Sequence, residues 1–302
     1  MIVYQAKLVL DVQAELGEGP FWHSDQQRLY WLDIEKKQLH CFDPVSQVNL
    51  SESLDRRVAC VVPTNDGSLL LAGEGGIEEY WPETEEWAFL ADPEKAIPTN
   101  RLNDGKCSPE GRFWVGSLNM ANEDNQASLY VMDHDENIRQ ILSGLTNSNG
   151  LGWSPDGKTF YHIDTPTRQV SAFDYDARLG GIRNRRIVAR FPDDPGFGRP
   201  DGMTVDSEGM LWVAHWDGAC VSRWNPETGD MVAGVQVPAT QVTSVAFGGE
   251  YLDTLYITTA RNNLTSEKLV GQPHAGGLFA VEPGVTGLPA HIFRWAENVS
   301  LT

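Results

Sequence analysis

The chain has 302 residues, and its formal net charge is −19 at pH 7. A surface that binds nucleic acid or anionic lipid needs clustered Lys and Arg side chains, and the sequence contains no basic run. We therefore expect neither a nucleic acid nor a membrane among its partners. Hydrophobic residues make up 41% of the chain and ten residues are Trp, so the composition predicts a folded core.

The opening segment, MIVYQAKLVLDVQAEL, alternates apolar and polar side chains as a β-strand does. It lacks the basic start and the apolar core of a signal peptide, and no segment approaches the ~18 apolar residues of a membrane span. The four cysteines are widely scattered, without CxxC pairs or the spacing of a zinc site. This usage fits reduced thiols better than a disulfide framework, so we expect a cytoplasmic protein with structural cysteines.

Six similar segments follow along the chain, each with a turn rich in Asp, Glu and Gly and then two short strands. A hydrophobic anchor lies in the first strand of each segment, and successive anchors are 40 to 51 residues apart. The anchors are Tyr30, Leu70, Trp114, Tyr161, Trp212 and Tyr256. The segments alternate with period two and are joined by turns such as NDG and PDG. This pattern predicts β-strands throughout, with no long helix.

Four short strands in about 45 residues, repeated six times, predict an all-β fold: a six-bladed β-propeller with four antiparallel strands per blade. Helical solenoids of similar period do not fit the strand pattern. We expect a single domain over residues 1–302, its ring closed by an N-terminal strand near 2–12 that joins the last blade beside strands from 276–295. Irregular loops are predicted near 119–126, 177–200 and 261–275, on faces where propellers bind ligands.

Five of the six segments carry a polar residue 11 or 12 positions before the anchor. These residues are Glu18, Asn103, Asn149, Asp201 and Ser244; the sixth segment has apolar Val58 and Ala59 there. The position corresponds to the start of each innermost strand, and these starts meet around one mouth of the central channel. We therefore expect two carboxylates and two amides to face one another across the mouth.

Two crowded carboxylates repel each other and have raised pKa values unless a cation neutralises them. Oxygen ligands of this kind suit Ca²⁺, Mg²⁺ or Mn²⁺, so the pattern favours a metal site. Arg101, two residues before Asn103, is either an ion-pair partner or a substrate-binding group at the same mouth. His162 and His215 follow anchors and are expected to be packed, whereas His274 lies in a loop that could reach the mouth.

Five motifs resemble the SMP-30/gluconolactonase/luciferin-regenerating-enzyme family. They are LGEGPFW (16–22), RLNDGKCSPEGRFWVGSL (101–118), SNGLGWSPDGKTFYHID (148–164), RPDGMTVDSEGMLWVAHWDG (199–218) and TSVAFGGEYLDTLYITTAR (243–261). The resemblance spans roughly residues 15–295, and the motifs occur in the family's order.

The resemblance implies one divalent metal ion, Ca²⁺, Mg²⁺, Mn²⁺ or Zn²⁺, in the propeller channel and hydrolysis of a sugar lactone, such as gluconolactone or a pentonolactone. The family's metal ligands correspond to Glu18, Asn149 and Asp201, and its substrate-contacting residues to Arg101 and Asn103. Two positions depart from the family pattern. Ser108 replaces its usual Asp, and Ala121 stands where some members carry a substrate-binding Glu, which a shifted Glu123 could replace.

We hypothesise metal-assisted hydrolysis of a small-molecule sugar lactone by a monomer or weak homodimer. Asp201 serves as the general base, with Glu18 as second choice, while Arg101 and Asn103 orient the sugar. Two alternatives stay open. The protein could be a calcium-handling or metal-binding protein with incidental lactonase activity, or it could hydrolyse other esters or organophosphates.

Overall fold

Six β-sheets surround a central channel in the computed structural model, which describes residues 1–296. Each sheet places its first strand innermost, and every innermost strand contacts those of the two neighbouring sheets. The contacts return from the sixth sheet to the first, so the ring is closed. The predicted six-bladed β-propeller is confirmed.

The chain begins with β1 (Ile2–Gln5) and β2 (Lys7–Leu10), and the blades follow in order. Blade 1 contains β3 (Gly17–His23), β4 (Arg28–Asp33), β5 (Gln38–Asp43) and β6 (Val48–Ser53); blade 2 contains β7 (Val58–Pro63), β8 (Leu69–Gly73), β9 (Gly76–Trp81) and β10 (Glu86–Ala91). Blade 3 contains β11 (Asn100–Cys107), β12 (Phe113–Asn119), β13 (Ala127–Met132) and β14 (Ile138–Leu145).

Blade 4 contains β15 (Ser148–Trp153), β16 (Thr159–Asp164), β17 (Gln169–Asp176) and β18 (Gly181–Arg190), with a 3₁₀ turn (Thr165–Thr167) after β16. Blade 5 contains β19 (Arg199–Val205), β20 (Leu211–Trp216), β21 (Cys220–Trp224) and β22 (Met231–Gln236). Blade 6 contains β23 (Gln241–Gly248), β24 (Thr254–Ala260) and β25 (Leu278–Val281), with the short helix α1 (Ser266–Val270) before β25. Among residues 1–296, no helix is long and apolar enough to cross a membrane.

The N-terminal segment closes the ring and also extends blade 5. Strand β2 pairs antiparallel with β25 and becomes the outermost strand of blade 6, as predicted. Strand β1 pairs in parallel with β22 instead, which gives blade 5 a fifth strand that the sequence did not predict. The segment therefore joins two neighbouring blades at their outer edges.

The C-terminal segment mostly crosses the face opposite the mouth. Only Leu278–Val281 forms a strand within the predicted 276–295 region. Beyond it, Gly287 N donates to Leu252 O (2.7 Å), and Phe293 N donates to Pro63 O (2.8 Å), which fastens the segment to blades 6 and 2. Phe293 is fully buried.

The predicted irregular loops are confirmed in two places and wrong in the third. Residues 119–126 connect β12 to β13, and residues 261–275 hold only the helix α1. The 177–200 region contains β18, the outermost strand of blade 4. Most of its side chains are exposed, and a strand with one free edge and both faces in water shows no alternation of apolar residues.

The anchor residues all lie in the second strand of their blades, where they pack between neighbouring blades. Leu70, Trp114 and Trp212 are completely buried, and Tyr161 and Tyr256 nearly so. Tyr30 is only half-buried, and its hydroxyl donates to Gln26 Oε1 at 2.7 Å. The four cysteines are free thiols, in agreement with a structural role.

We expect removal of residues 1–10 to destabilise the protein more than removal of residues 1–5. The longer deletion removes β2 together with Val9 and Leu10, which pack on the core between blades 6 and 1. Loss of these contacts should lower the free energy of unfolding by about 2–4 kcal/mol. The shorter deletion removes only β1, where Ile2 and Val3 are exposed. Urea unfolding of both variants tests this, and equal destabilisation would contradict it.

Candidate functional site

Each innermost strand is irregular at or next to its position in the polar repeat, which is the position 11 or 12 residues before the anchor. The pairing with the second strand shifts there in all six blades. The shifts lie between Glu18 and Phe21, Val58 and Cys60, Leu102 and Gly105, Asn149 and Leu151, Pro200 and Met203, and Val242 and Ser244. A β-bulge changes the direction in which the side chains of its strand point. The bulges therefore give a geometric reason for the recurrence of polar residues at this position.

Three of the five predicted site residues are directly hydrogen-bonded to one another. Arg101 Nη1 donates to Asn103 Oδ1 at 2.8 Å, and Asn103 Nδ2 donates to Asn149 Oδ1 at 3.1 Å. Asn103 Nδ2 also contacts Ser148 O at 3.0 Å. Arg101, Asn103 and Asn149 are all buried, so blades 3 and 4 share a polar network at the mouth.

The carboxylates of Glu18 and Asp201 lie close enough to influence each other's protonation. Burial raises the pKa of Glu18 to about 8, and the charge of Asp104 adds to the effect, while the Gly19 N–H and Arg101 oppose it. Burial also raises the pKa of Asp201 well above its usual range, and Glu18 and Asp104 raise it further. The predicted convergence therefore brings together groups that repel one another.

Asp104 is a third carboxylate at the mouth that the sequence reasoning missed. Its Oδ2 is buried without a hydrogen-bond partner among residues 1–296, and burial raises its pKa against the opposing charge of Lys106. The bulge in β11 sets Asn103 and Asp104 together opposite Gly116 of β12. The NDG sequence at 103–105 could have indicated it, because Asn-Asp-Gly is unusual inside a buried strand.

Lys106 crosses the channel below these carboxylates. Its Nζ donates to Leu151 O at 3.2 Å and to Met203 O, and burial lowers the pKa of its ammonium group. Beyond it, an apolar cavity of about 400 Å³ lies at the opposite end of the channel, lined by residues such as Trp153 and Phe247. The predicted site residues do not line this cavity, so the carboxylates belong to the other end.

A polar cleft of about 490 Å³ opens beside the network at the mouth. Its lining includes Asn119, Asn122, Asn147, Thr165 and Arg199. Asn147 accepts a hydrogen bond from Asn103 Nδ2 at 3.2 Å, which connects the cleft directly to the network. The cleft is large enough for a small polar molecule.

The two departures from the family pattern have different positions. Asn122 and Asp124, rather than Glu123, contribute to the cleft lining, and Glu123 is exposed. Ser108 lies at the far end of β11, where its Oγ accepts a hydrogen bond from Arg112 N at 3.1 Å. Ser108 therefore supports a turn on the opposite face.

The remaining register positions complete the wall of the mouth. Ser244 is buried beside Gly202, where an added Cβ would overlap its hydroxyl. Val58 and Ala59 are also buried, and the carbonyl of Ala59 lies against Gly19. Blade 2 thus contributes apolar surface next to Glu18.

The histidines do not join the network. His162 and His215 each hydrogen-bond to a buried serine hydroxyl, at 2.8 and 2.6 Å, and burial lowers both pKa values to about 3. These are packed histidines, as expected. His274 instead pairs with Asp11 at 3.0 Å on the surface.

The chemistry of the donor set fits a divalent cation. Glu18 and Asp201 supply carboxylate oxygens and Asn149 an amide oxygen, which hard cations prefer. Over residues 1–296 no three His, Cys, Asp or Glu side chains are grouped to hold a metal ion; the proposed set has only two such residues and an amide. Burial disfavours the charged form of both carboxylates, and one Asp104 oxygen has no hydrogen-bond partner, so a bound cation would stabilise the charged site.

Comparison with known proteins identifies the family. The family model described as SMP-30/Gluconolactonase/LRE-like region matches residues 16–261, a range that contains all five predicted site residues. The chain belongs to this family.

Similar proteins cover nearly the whole chain. YvrE of Bacillus subtilis, named as a sugar lactone lactonase, is 39% identical over 277 residues, 92% of this chain and 94% of the relative. Regucalcin of Danio rerio is 36% identical over 294 residues, 96% of this chain and 98% of the relative. The solved structure of a calcium-binding protein, regucalcin, from Agrobacterium tumefaciens has a TM-score of 0.92 at 26% identity, covering 97% and 99% of the two chains.

We expect the stability of the metal-free protein to depend on the protonation of Glu18. Folding raises its pKa from 4.5 to about 8, so the folded state binds the extra proton. The free energy of unfolding should fall as the pH rises from 4.5 to about 8, by at most about 1.4 kcal/mol per pH unit from this group, and then level off.

Glu18→Gln removes this charge and its repulsion of Asp201, so the pH dependence should become flatter. Urea unfolding in EDTA between pH 5 and pH 9 measures both slopes. Identical slopes in the two proteins would show that the pKa of Glu18 is not raised in the folded state.

Proposed function

We propose that the protein is a divalent-metal-dependent lactonase that hydrolyses a sugar lactone to the aldonic acid. The observation that carries this proposal is the convergence of Glu18, Asp201 and the Asn149 amide at the mouth, beside a polar cleft. Family membership supports the reaction class, because similar proteins are named for lactonase activity.

Glu18, Asn149 and Asp201 are the residues that would hold the metal. When bound, a divalent cation supplies Lewis-acid stabilisation of the negative charge that develops on the lactone carbonyl oxygen. Ca²⁺, Mg²⁺, Mn²⁺ and Zn²⁺ are all candidates, and the oxygen-only donor set favours the first three.

The protein's own groups then move the proton and orient the substrate. Asp201 accepts a proton from the attacking water as general base, with Glu18 as second choice. The water oxygen bonds to the carbonyl carbon, the ring C–O ester bond breaks, and the proton passes to the departing ring oxygen. The product is an open-chain hydroxy acid.

Arg101 and Asn103 orient the lactone together: the Arg101 guanidinium donates to its oxygens, and Asn103 holds the guanidinium through its Oδ1. The Arg101 guanidinium directs one nitrogen to Leu102 O and Asn103 Oδ1, which fixes its plane and leaves its other N–H groups for a ligand. Prior alignment of the reacting groups can supply several kcal/mol of the barrier reduction. The apolar wall of Val58 and Ala59 limits water beside Glu18.

A small aldonolactone, such as gluconolactone or a pentonolactone, suits the cleft. Its lining has amide groups, including those of Asn119, Asn122 and Asn147, and these pair with sugar hydroxyls. This lining favours sugars over the apolar esters and organophosphates that form one alternative.

A second candidate function is metal or calcium handling, with lactone hydrolysis incidental. It is favoured by the similar solved structure, described as a calcium-binding protein, and by the fact that binding needs only Glu18, Asn149 and Asp201. Turnover on a panel of aldonolactones separates the two. Tight calcium binding without measurable turnover would favour this candidate.

Asp201→Ala should reduce lactone hydrolysis by about 10²–10⁴-fold without unfolding the propeller, because it removes both the base and a metal ligand. A pH-stat assay with gluconolactone measures the rate, and circular dichroism checks the fold. Ser244→Ala is the matched control, since Ser244 occupies the same register at the same mouth without a proposed role. More than a few per cent of wild-type activity in Asp201→Ala would count against the assignment.

Removal of the metal should abolish turnover reversibly. We expect EDTA-treated protein to lose lactonase activity and to regain it on addition of one of the four candidate cations. The same pH-stat assay measures both steps, with elemental analysis of the stripped and reloaded protein. Full activity in metal-free protein would exclude a metal-dependent reaction.

A further inference from the structure

A continuous row of hydrogen bonds crosses the mouth from blade 3 to blade 5. It begins with Arg101 Nη1 donating to Asn103 Oδ1 (2.8 Å) and Asn103 Nδ2 donating to Asn149 Oδ1 (3.1 Å). It continues with Asn149 Nδ2 donating to Thr165 Oγ1 (2.9 Å), and Thr165 Oγ1 donating to Pro200 O (2.9 Å). Thr165 thus lies between Asn149 and the residue that precedes Asp201.

The direction of every bond in this row is determined by its two ends. A guanidinium can only donate, and a peptide carbonyl can only accept. The single hydroxyl proton of Thr165 is used on Pro200 O, so its oxygen can only accept from Asn149. Asn149 must therefore turn its NH₂ group toward Thr165 and its oxygen away from it.

The opposite orientation of the Asn149 amide would break two contacts. Its oxygen would face the Thr165 oxygen, which has no second proton to offer, and its NH₂ group would face the NH₂ group of Asn103. A buried polar group that is left without a hydrogen-bond partner destabilises the folded state. The row therefore selects one of two amide orientations that are almost identical in shape.

Thr165 is itself held in place by the backbone. Its N–H donates to Asn147 O at 3.0 Å, and it begins the 3₁₀ turn Thr165–Thr167, with Pro166 as the next residue. Asp164 Oδ1 accepts hydrogen bonds from the backbone N–H groups of Thr146 and Asn147. The hydroxyl is therefore presented from a fixed frame rather than from a mobile loop.

We propose that Thr165 is a positioning residue that fixes the orientation of the Asn149 amide beside the proposed metal site. The inference rests on the proposed metal-binding function of Glu18, Asn149 and Asp201. Because Pro200 directly precedes Asp201, the same hydroxyl also links the blade 4 ligand to the strand that carries the blade 5 ligand. Removal of a residue that orients a metal ligand in this way typically weakens metal affinity by about 10–100-fold.

The test compares divalent-metal affinity in Thr165→Val and Thr165→Ser. Valine keeps the shape of threonine but has no hydroxyl, whereas serine keeps the hydroxyl. Isothermal titration of EDTA-treated protein with Ca²⁺ and with Mn²⁺ should give an affinity about 10–100-fold weaker for Thr165→Val and close to wild type for Thr165→Ser. Thr165→Ala provides a second hydroxyl-free variant if the valine variant does not fold.

Thr167→Val is the matched control. Thr167 belongs to the same turn, is exposed, and donates its hydroxyl to Asp164 O at 2.6 Å, away from the row. We expect this variant to bind metal as wild type does. A hydroxyl-free variant at 165 that binds as tightly as wild type, a serine variant as weak as valine, or an equal loss in Thr167→Val would each overturn the role of Thr165.

The outcomes also distinguish this inference from the proposed function. If wild type binds the metal and Thr165→Val binds it equally tightly, Thr165 has no positioning role and the metal site stands. Absence of binding by wild type to either cation would overturn the metal site itself, and the role of Thr165 with it.

Discussion

The close approach of the innermost strands at the mouth is the constraint on which the site depends. A Cβ added at Gly202 would overlap Ser244 of the next blade, and one at Gly150 would lie 2.9 Å from the backbone oxygen of Asp201. Strands this close exclude water between them, so buried polar groups must find partners in neighbouring blades. The bulges then direct a few polar side chains toward the axis, and strands that are far apart in sequence share one set of contacts.

This crowding makes the mouth electrostatically unfavourable until a proton or a cation arrives. Burial raises the pKa values of Glu18, Asp104 and Asp201, and the charges of Arg101 and Lys106 offset this only in part. The rigid inner strands hold these groups together, so the repulsion is not relieved by movement. The same arrangement that costs stability in the metal-free protein gives the proposed site its affinity for a cation.

Much of the fold could be predicted from local sequence patterns, and the two features that were missed share one cause. Alternating strands and repeated anchors predicted six blades because each blade buries its own apolar face. Strand β18 was missed because an exposed edge strand needs no apolar pattern, and the parallel pairing of β1 with β22 was missed because the exposed strand β1 carries no pattern that identifies its partner. In the site, Asp104 was missed because NDG resembles a turn, and Thr165 because it lies outside the repeated register.

The sequence by itself determined the number of blades, the position of the polar residues within each blade and the types of donor atom at the mouth. These are properties of short segments, set by strand periodicity and turn chemistry. Only the tertiary structure decided which way the Asn149 amide faces and which backbone carbonyls the Lys106 ammonium group contacts. Those outcomes depend on hydrogen bonds across 46 residues, from Asn103 to Asn149, and across 97, from Lys106 to Met203. Such bonds form only once the ring has closed and neighbouring strands are in contact.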